Sequence, residues 1–237
     1  MELVIDIGNT RIKWALFSEN ELKSHGTIDK NDALPKQFQE PLISGVLISK
    51  VSIVPASIER WAYVRDDVLW LSSGTELPFS SIYRTPETLG LDRLANAAAA
   101  ISLGSGPTSI VIDTGTCITM DLVHHGVYSG GVITPGLNMR ARALNNYTDG
   151  LPLVNLSEPE QLEGLDTTQS ILSGVINGAI AEMNGMIESF KLHYGDLEIF
   201  LTGGDMQWFE HVLKSETFAD AFFTLRGLNA ILQHNRS

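Results

Sequence analysis

Val4-Ile5-Asp6-Ile7-Gly8-Asn9-Thr10 opens the chain, and Val111-Ile112-Asp113-Thr114-Gly115-Thr116-Cys117 stands 107 residues further on. Each is a short apolar run, then Asp-x-Gly, then small residues, and each leads into a second apolar run, Ile12 to Phe17 and Ile118 to Val123. An apolar run on either side of a glycine turn reads as strand, tight turn, strand. A Gly-bearing turn and a third stretch follow in both halves, Ser24 to Ile28 in the first and Tyr128 to Ile133 in the second. Self-similarity of this kind predicts two duplicated domains, each opening with a three-stranded meander.

Around these meanders, strand-like and helical segments alternate. Leu42 to Val54 reads as strand around the apolar core Val46, Leu47 and Ile48, and Val68 to Leu71 as a shorter one. Leu94 to Leu103 is an alanine-rich helix. Thr168 to His193 is the longest helical signal: Ile171, Leu172, Val175, Ile176, Ala179, Ile180, Met183, Met186, Ile187 and Phe190 keep the 3.6-residue period. Glu198 to Thr202 is a strand and Leu228 to Leu232 a closing helix. Alternation of this kind predicts an α/β fold. The stretch Ser102 to Thr108, with two glycines and a proline, is the best boundary, so the expected domains are 1–105 and 106–237.

Composition narrows the function. The chain has 237 residues, enough to bury about three quarters of its extended surface without staples. Its one cysteine, Cys117, excludes an internal disulfide framework and a cysteine-based zinc site, and fits reducing conditions. With 16 basic against 28 acidic residues the net charge is −12, which argues against nucleic acid and against an anionic membrane surface as partners. No apolar run approaches the roughly 18 residues of a spanning helix. Met1 to Asp6 has no basic lead and its apolar stretch stops at Asp6, unlike a signal peptide. The expected location is the cytoplasm.

The turns carry the chemistry. An Asp-x-Gly-x-Thr turn offers backbone N–H groups, a hydroxyl and a carboxylate in a small space, and glycine lets a phosphate come close. The carboxylate repels phosphate but can hold a cation that in turn holds phosphate. Lys13 adds a positive charge three residues after Thr10. Thr202-Gly203-Gly204 ends a strand with backbone a flat ring can lie against, and Gly130 to Gly136 is another turn cluster, leading to Arg140 and Arg142. Those two arginines read as surface or subunit contacts. Gly90-Leu91-Asp92-Arg93 opens the alanine helix. Asp92 there reads either as the helix N-cap or as a carboxylate that accepts a proton from an attacking hydroxyl, its charge favoured by the helix dipole. Arg93 can bind a substrate carboxylate with two parallel donors. On the long helix Gly174, Gly178, Ala181 and Gly185 form a stripe, which predicts close approach of another backbone, from this chain or a second subunit. The histidines show no metal-ligand spacing, and His124-His125 reads as an exposed hairpin tip. The phosphate loop Gly-x-x-x-x-Gly-Lys-Ser/Thr, the dinucleotide turn Gly-x-Gly-x-x-Gly and the nucleophile elbow Gly-x-Ser-x-Gly are all missing.

Six ordered motifs resemble those of the type III pantothenate kinases: Asp6 to Lys13, Gly90 to Arg93, Asp113 to Thr116, Gly130 to Gly136, Thr148 to Pro152, and Thr202 to Gly204. The resemblance runs over nearly the whole chain. It implies the fold of the acetate and sugar kinase, Hsp70 and actin superfamily: two duplicated ribonuclease H-like, actin-like ATPase domains. It implies ATP-dependent phosphorylation of pantothenate, the first step of coenzyme A synthesis, with Mg²⁺ and a monovalent cation, K⁺ or NH₄⁺, in a homodimer.

Residue by residue, it implies that Asp6, Gly8, Asn9, Thr10 and Lys13 form the first phosphate loop, with Asp6 on the Mg²⁺ side. Asp113 resembles the residue near the monovalent cation. Gly115 and Thr116 match the second phosphate loop, and Gly203 and Gly204 the adenosine-side turn. Asp92 is similar to the family's general base, with Gly90, Leu91 and Arg93 around pantothenate. Tyr83 matches a substrate-contacting tyrosine, and Thr167 a threonine lent to the pantothenate site across the dimer interface. Arg11, Cys117 and Lys50 depart from the commonest residues without removing a charged group from the chemistry. Another small-molecule kinase of the superfamily and a non-catalytic regulatory relative are the competing readings.

Overall fold

The structure is a computed structural model, and it describes residues 1–8, 11–29, 32–159 and 161–236. The chain clusters into two compact units. The first holds Met1–Gly104, Gly126–Ser129 and the segment from Phe222 onward; the second holds Ser105–His125 and Gly130–Ala221. One cut in the sequence therefore does not separate them, because the C-terminal segment packs in the unit that begins the chain.

In the first unit β1 (Glu2–Ile7), β2 (Ile12–Ser18) and β3 (Glu21–Ile28) form the antiparallel meander. β4 (Gly45–Lys50) joins β1 in parallel and β5 (Val68–Trp70) joins β4 in parallel, giving the order β3-β2-β1-β4-β5. β1 is apolar on both faces because both are covered. Leu3, Ile5 and Ile7 pack with Phe38 and with Ile58 and Ala62 of helix α1 (Ala56–Tyr63). On the other face Val4 packs with Ala15, Phe17 and Leu47 against helix α2 (Leu91–Leu103) and the C-terminal helix, both described with the first unit. Ala95 and Ala97 to Ala100 are all buried; side chains this small let another helix lie close against α2.

In the second unit β7 (Thr108–Thr114) and β8 (Cys117–His124) form an antiparallel hairpin, continued by β9 (Val127–Pro135). The short pair β6 (Ser80–Ser81) aligns with Val127 and Tyr128, the residues of β9 that cluster with the first unit. β10 (Glu198–Thr202) and β11 (Phe218–Ala219) extend β7 in parallel. From β9 to β11 the order is β9-β8-β7-β10-β11, the same succession as β3-β2-β1-β4-β5. Ile110, Ile112, Met120, Leu122, Ile199 and Leu201 face a core closed by helices α3 (Leu137–Asn146) and α4 (Thr167–Tyr194). The apolar period of α4 sits where expected: Ile171, Leu172, Val175, Ile176, Ala179, Met183 and Ile187 are buried. Glu198 holds the entry to this unit by accepting from the backbone N–H and hydroxyl of Ser105, and that hydroxyl, more than the burial that opposes it, keeps its carboxyl below the ordinary range.

Helix α5 (Phe223–His234) returns to the first unit. Asn229 and Gln233 both donate to the carbonyl of Glu19, at 2.8 and 2.7 Å, and so fasten the β2–β3 turn, where Glu19 has φ 54°.

Candidate functional site

Residues singled out in the sequence lie at the ends of the central strands of each unit. In the first, the register sets Asp6 directly opposite Lys13 on β2 and opposite Ser49 on β4. Paired residues send their side chains to the same face, here the face that carries Val4, Ala15 and Leu47 under α2. A carboxylate and an ammonium therefore stand side by side where β1 gives way to its turn. Beyond them the Gly8 N–H donates to the Arg11 carbonyl at 3.1 Å. The Ser52 hydroxyl donates to the Gly8 carbonyl at 2.9 Å, tying the turn to the segment after β4. Asn9 and Thr10, the other members expected in this loop, lie outside the described residues.

Asp92 corrects one expectation. It is not the N-cap of α2; Gly90 holds that position and Asp92 is the second helical residue. Its Oδ1 accepts from the Arg93 N–H at 2.8 Å and lies where a side chain at position 90 would stand, so glycine there makes room for the carboxylate. The carboxylate remains in the first turn, within reach of the helix dipole. Arg93 is only 5% exposed, and its guanidinium lies 5.9 Å from the Tyr83 ring and 6.0 Å from the Tyr128 ring. The two rings are 6.0 Å apart, so the cation and the two rings stand at the corners of a triangle, with the guanidinium within cation–π range of both. Leu91 packs into the core beneath. The structure thus brings Tyr83, Gly90, Leu91, Asp92 and Arg93 together. It adds Tyr128, fully buried, which the sequence reading passed over. The available signal was an aromatic with a polar end at the start of a strand, a residue type that when buried usually satisfies its hydroxyl.

In the second unit three glycine turns meet. The Gly115 N–H donates to the Cys117 carbonyl at 2.9 Å, closing the hairpin. The Gly136 N–H donates to the Thr116 carbonyl at 3.1 Å, and a side chain on Gly136 would strike the Gly115 and Thr116 carbonyls. Gly203, at φ +106°, lies against the Thr114 backbone, so position 203 needs glycine for both conformation and space. The Thr114 hydroxyl donates to the Thr202 carbonyl at 2.9 Å, and the Asp205 N–H to the Thr114 carbonyl at 2.8 Å. Gly204 borders open space. Asp113 stands opposite Thr119 and Thr202 in the register, a carboxylate among hydroxyl residues. Burial raises the pKa of Asp205.

Thr167 is the first residue of α4, capped by Asp166, whose Oδ1 accepts from the Gln169 N–H at 2.8 Å. It lines a hollow of about 470 Å³ with Leu144, Leu151, Leu165 and Gly174. The glycine stripe is exposed, and side chains built at Gly174, Gly178 and Gly185 would meet nothing within 4 Å among the described residues, so none of their backbone packs there. Arg140 is an internal strut: it donates to both Glu182 carboxylate oxygens and to the Pro135 carbonyl. His125 and Gly126, at φ 50° and 74°, form the exposed hairpin tip, while His124 sits beside the Thr108 hydroxyl at 2.8 Å. Among the described residues no group of three or more His, Cys, Asp or Glu side chains is placed to hold a metal ion. A cation at Asp6 or Asp113 would thus be held by few protein carboxylates together with water and phosphate, which suits Mg²⁺.

Residues 2–189 match the family model described as type III pantothenate kinase. A relative from Christiangramia forsetii with that description is 42% identical over 244 residues, covering 100% of both chains. One from Phocaeicola vulgatus is 41% identical over 242 residues, covering 99% of each. Among solved structures, a chain described as a conserved Baf family transcriptional activator from Campylobacter jejuni superposes with a TM-score of 0.63 at 21% identity, over 99% of this chain and 98% of that one. Component A of the (R)-2-hydroxyglutaryl-CoA dehydratase of Acidaminococcus fermentans superposes with a TM-score of 0.51 at 14% identity, over 98% and 96%. At such identities these two speak for a shared fold alone.

Proposed function

The chain belongs to the type III pantothenate kinase family, and from that premise we propose how its residues share the work of the reaction. The reaction moves the γ-phosphoryl group of ATP to the primary hydroxyl of pantothenate at the start of coenzyme A biosynthesis, giving ADP and 4′-phosphopantothenate. The observation that carries the proposal is Asp92 and Arg93 side by side at the start of α2. One is a carboxylate base, the other a guanidinium beside two tyrosines, and pantothenate has both a hydroxyl to deprotonate and a carboxylate to anchor.

In this reading Arg93 binds the pantothenate carboxylate, Tyr83, Gly90 and Leu91 shape the pocket, and Asp92 takes the hydroxyl proton as the oxygen–phosphorus bond forms and the bond to ADP breaks. Phosphoryl transfer passes through a loose transition state, so positioning and charge neutralisation carry most of the rate. Gly8, Asn9, Thr10 and Lys13 bind ATP phosphate oxygens from the first unit; Gly115 and Thr116 do so from the second. Gly203 and Gly204 take the adenosine side. Asp6 would hold Mg²⁺, and Asp113 would stand near K⁺ or NH₄⁺. When bound, these cations offset phosphate charge.

The shared strand order and the paired Asp-x-Gly turns support duplication into ribonuclease H-like domains, the chain passing from the first to the second near Ser105 and α5 returning to the first. The bare glycine stripe, beside exposed Leu162 and Leu165, supports a homodimer in which Thr167 serves the partner's pantothenate site. No helix among the described residues is long and apolar enough to cross a membrane, and with the single cysteine this supports work in the cytoplasm.

The cation assignment is checked by ADP release with ATP, Mg²⁺ and pantothenate in matched K⁺, NH₄⁺ and Na⁺ buffers. The expected result is turnover in K⁺ or NH₄⁺ that falls at least tenfold in Na⁺, a difference of about 1.4 kcal/mol, and that Asp113→Asn reduces to the Na⁺ level. Equal rates in all three salts would remove Asp113 from that role.

A further inference from the structure

Ser49 carries a group that the reaction as described does not use. It is the penultimate residue of β4, is fully buried, and its hydroxyl has no hydrogen-bond partner among the described residues. A buried hydroxyl left unpaired is a net cost to the fold, and buried polar groups are nearly always satisfied. Its position gives the reason to keep it. β4 runs parallel beside β1, and the register sets Ser49 directly opposite Asp6, with Lys13 on Asp6's other side. Neighbouring strands lie about 4.8 Å apart, so small rotations of the two side chains bring hydroxyl and carboxylate into hydrogen-bond range. The parity agrees: Val4, Ala15 and Leu47, each two residues before or after a member of this row, share one buried cluster. The end of β4 is also pinned to the first loop. The Val51 N–H donates to the Ile7 carbonyl at 3.0 Å and the Ser52 hydroxyl to the Gly8 carbonyl at 2.9 Å. Ser49 is thus held beside Asp6 and cannot drift away from it.

We propose that Ser49 is a positioning residue for Asp6, its hydroxyl donating to the Asp6 carboxylate when that carboxylate turns toward Mg·ATP. The proposal rests on the assignment of Asp6 to the Mg·ATP site. Ser49 touches neither substrate; it fixes the direction of the carboxylate assigned to Mg·ATP. Lys13 and Ser49 flank Asp6 from opposite strands, so the carboxylate is steered from both sides.

The test is a double-mutant cycle on the full-length enzyme with Ser49→Ala, Asp6→Asn and the double variant. It reads kcat/KM for Mg·ATP and the melting temperature without ligands. A hydrogen bond to a charged group corresponds to roughly ten- to hundredfold, so Ser49→Ala is expected to lower kcat/KM for Mg·ATP by about that factor. Its KM for pantothenate should stay at the wild-type value. Its ligand-free melting temperature should equal or exceed wild type, because Ala removes an unpaired hydroxyl. In the Asp6→Asn background the same substitution should have less than about a twofold effect, since the acceptor it steers has lost its charge. An unchanged kcat/KM in Ser49→Ala overturns the proposal. So does an equal loss in both backgrounds, or a fall in melting temperature accompanying the loss of activity, which would mark Ser49 as structural. Asp6→Asn with a wild-type response to Mg·ATP overturns the Asp6 assignment first and this proposal with it; the cycle therefore separates the two failures.

Discussion

The Asp92→Asn enzyme is expected to keep its fold and its KM values while kcat falls about 10²–10⁴-fold, the share a general base usually contributes. The amide is the same size as the carboxylate and can still accept from the Arg93 N–H, so the 2.8 Å contact that fixes the side chain survives. What is lost is the proton acceptor. Because the carboxylate occupies the room a side chain at Gly90 would fill, Gly90→Ala should give a similar loss by pushing Asp92 aside rather than by neutralising it. Steady-state kinetics with a coupled ADP assay reads both. An Asp92→Asn enzyme within threefold of wild-type kcat would take the base away from Asp92 and leave the rate to positioning and charge.

Arg93→Ala is the second large effect, and it falls on binding. A bidentate pair between a guanidinium and a carboxylate corresponds to about 1.5–3 kcal/mol, so KM for pantothenate should rise roughly ten- to 150-fold. Lys should not restore it, because one ammonium cannot present two parallel donors. Burial complicates the reading, since Arg93 is 5% exposed and its removal also leaves a gap. Pantothenol, which has a hydroxyl where pantothenate has its carboxylate, separates the effects. Wild type should use it poorly, and Arg93→Ala should no longer distinguish the two acceptors. If the variant discriminates as well as wild type does, another residue anchors the carboxylate.

Both effects concern residues visible in the sequence as chemistry, though not as geometry. Asp92 at a helix start reads as an N-cap because Asp is favoured there. Gly90 takes the cap instead, and only the structure shows that its missing side chain makes room for the carboxylate. Strands of the meanders and the long helix α4 were legible because local periodicity sets them. Helix α1 was not: only Ile58 and Ala62 of its eight residues are buried, too few to mark a period. The expected strand over Leu42 to Val54 shrinks to Gly45–Lys50, the part that pairs with β1, of which Val46 to Ile48 pairs with β5 as well.

What sequence could not carry is non-local. Nothing at Phe223 says that α5 packs in the first unit, a placement its buried Leu225, Leu228 and Ile231 fit equally to either core. The meeting of Gly136 and Gly203 with the Asp113 turn depends on backbone contacts across more than twenty residues of chain in one case and nearly ninety in the other. The glycine stripe predicts a close neighbour, and only the structure shows that none of the described residues of this chain fills that place. Tyr128 and Ser49 had no signal beyond residue type; their meaning comes from the side chains they stand beside.

The most direct measurement is ADP release by the purified protein with Mg·ATP in K⁺, with and without pantothenate, with the product identified by mass. The account predicts release that depends on pantothenate and a product heavier by one phosphoryl group, carried on the primary hydroxyl. Release that ignores pantothenate, or none from the folded protein in K⁺ or NH₄⁺, would contradict it.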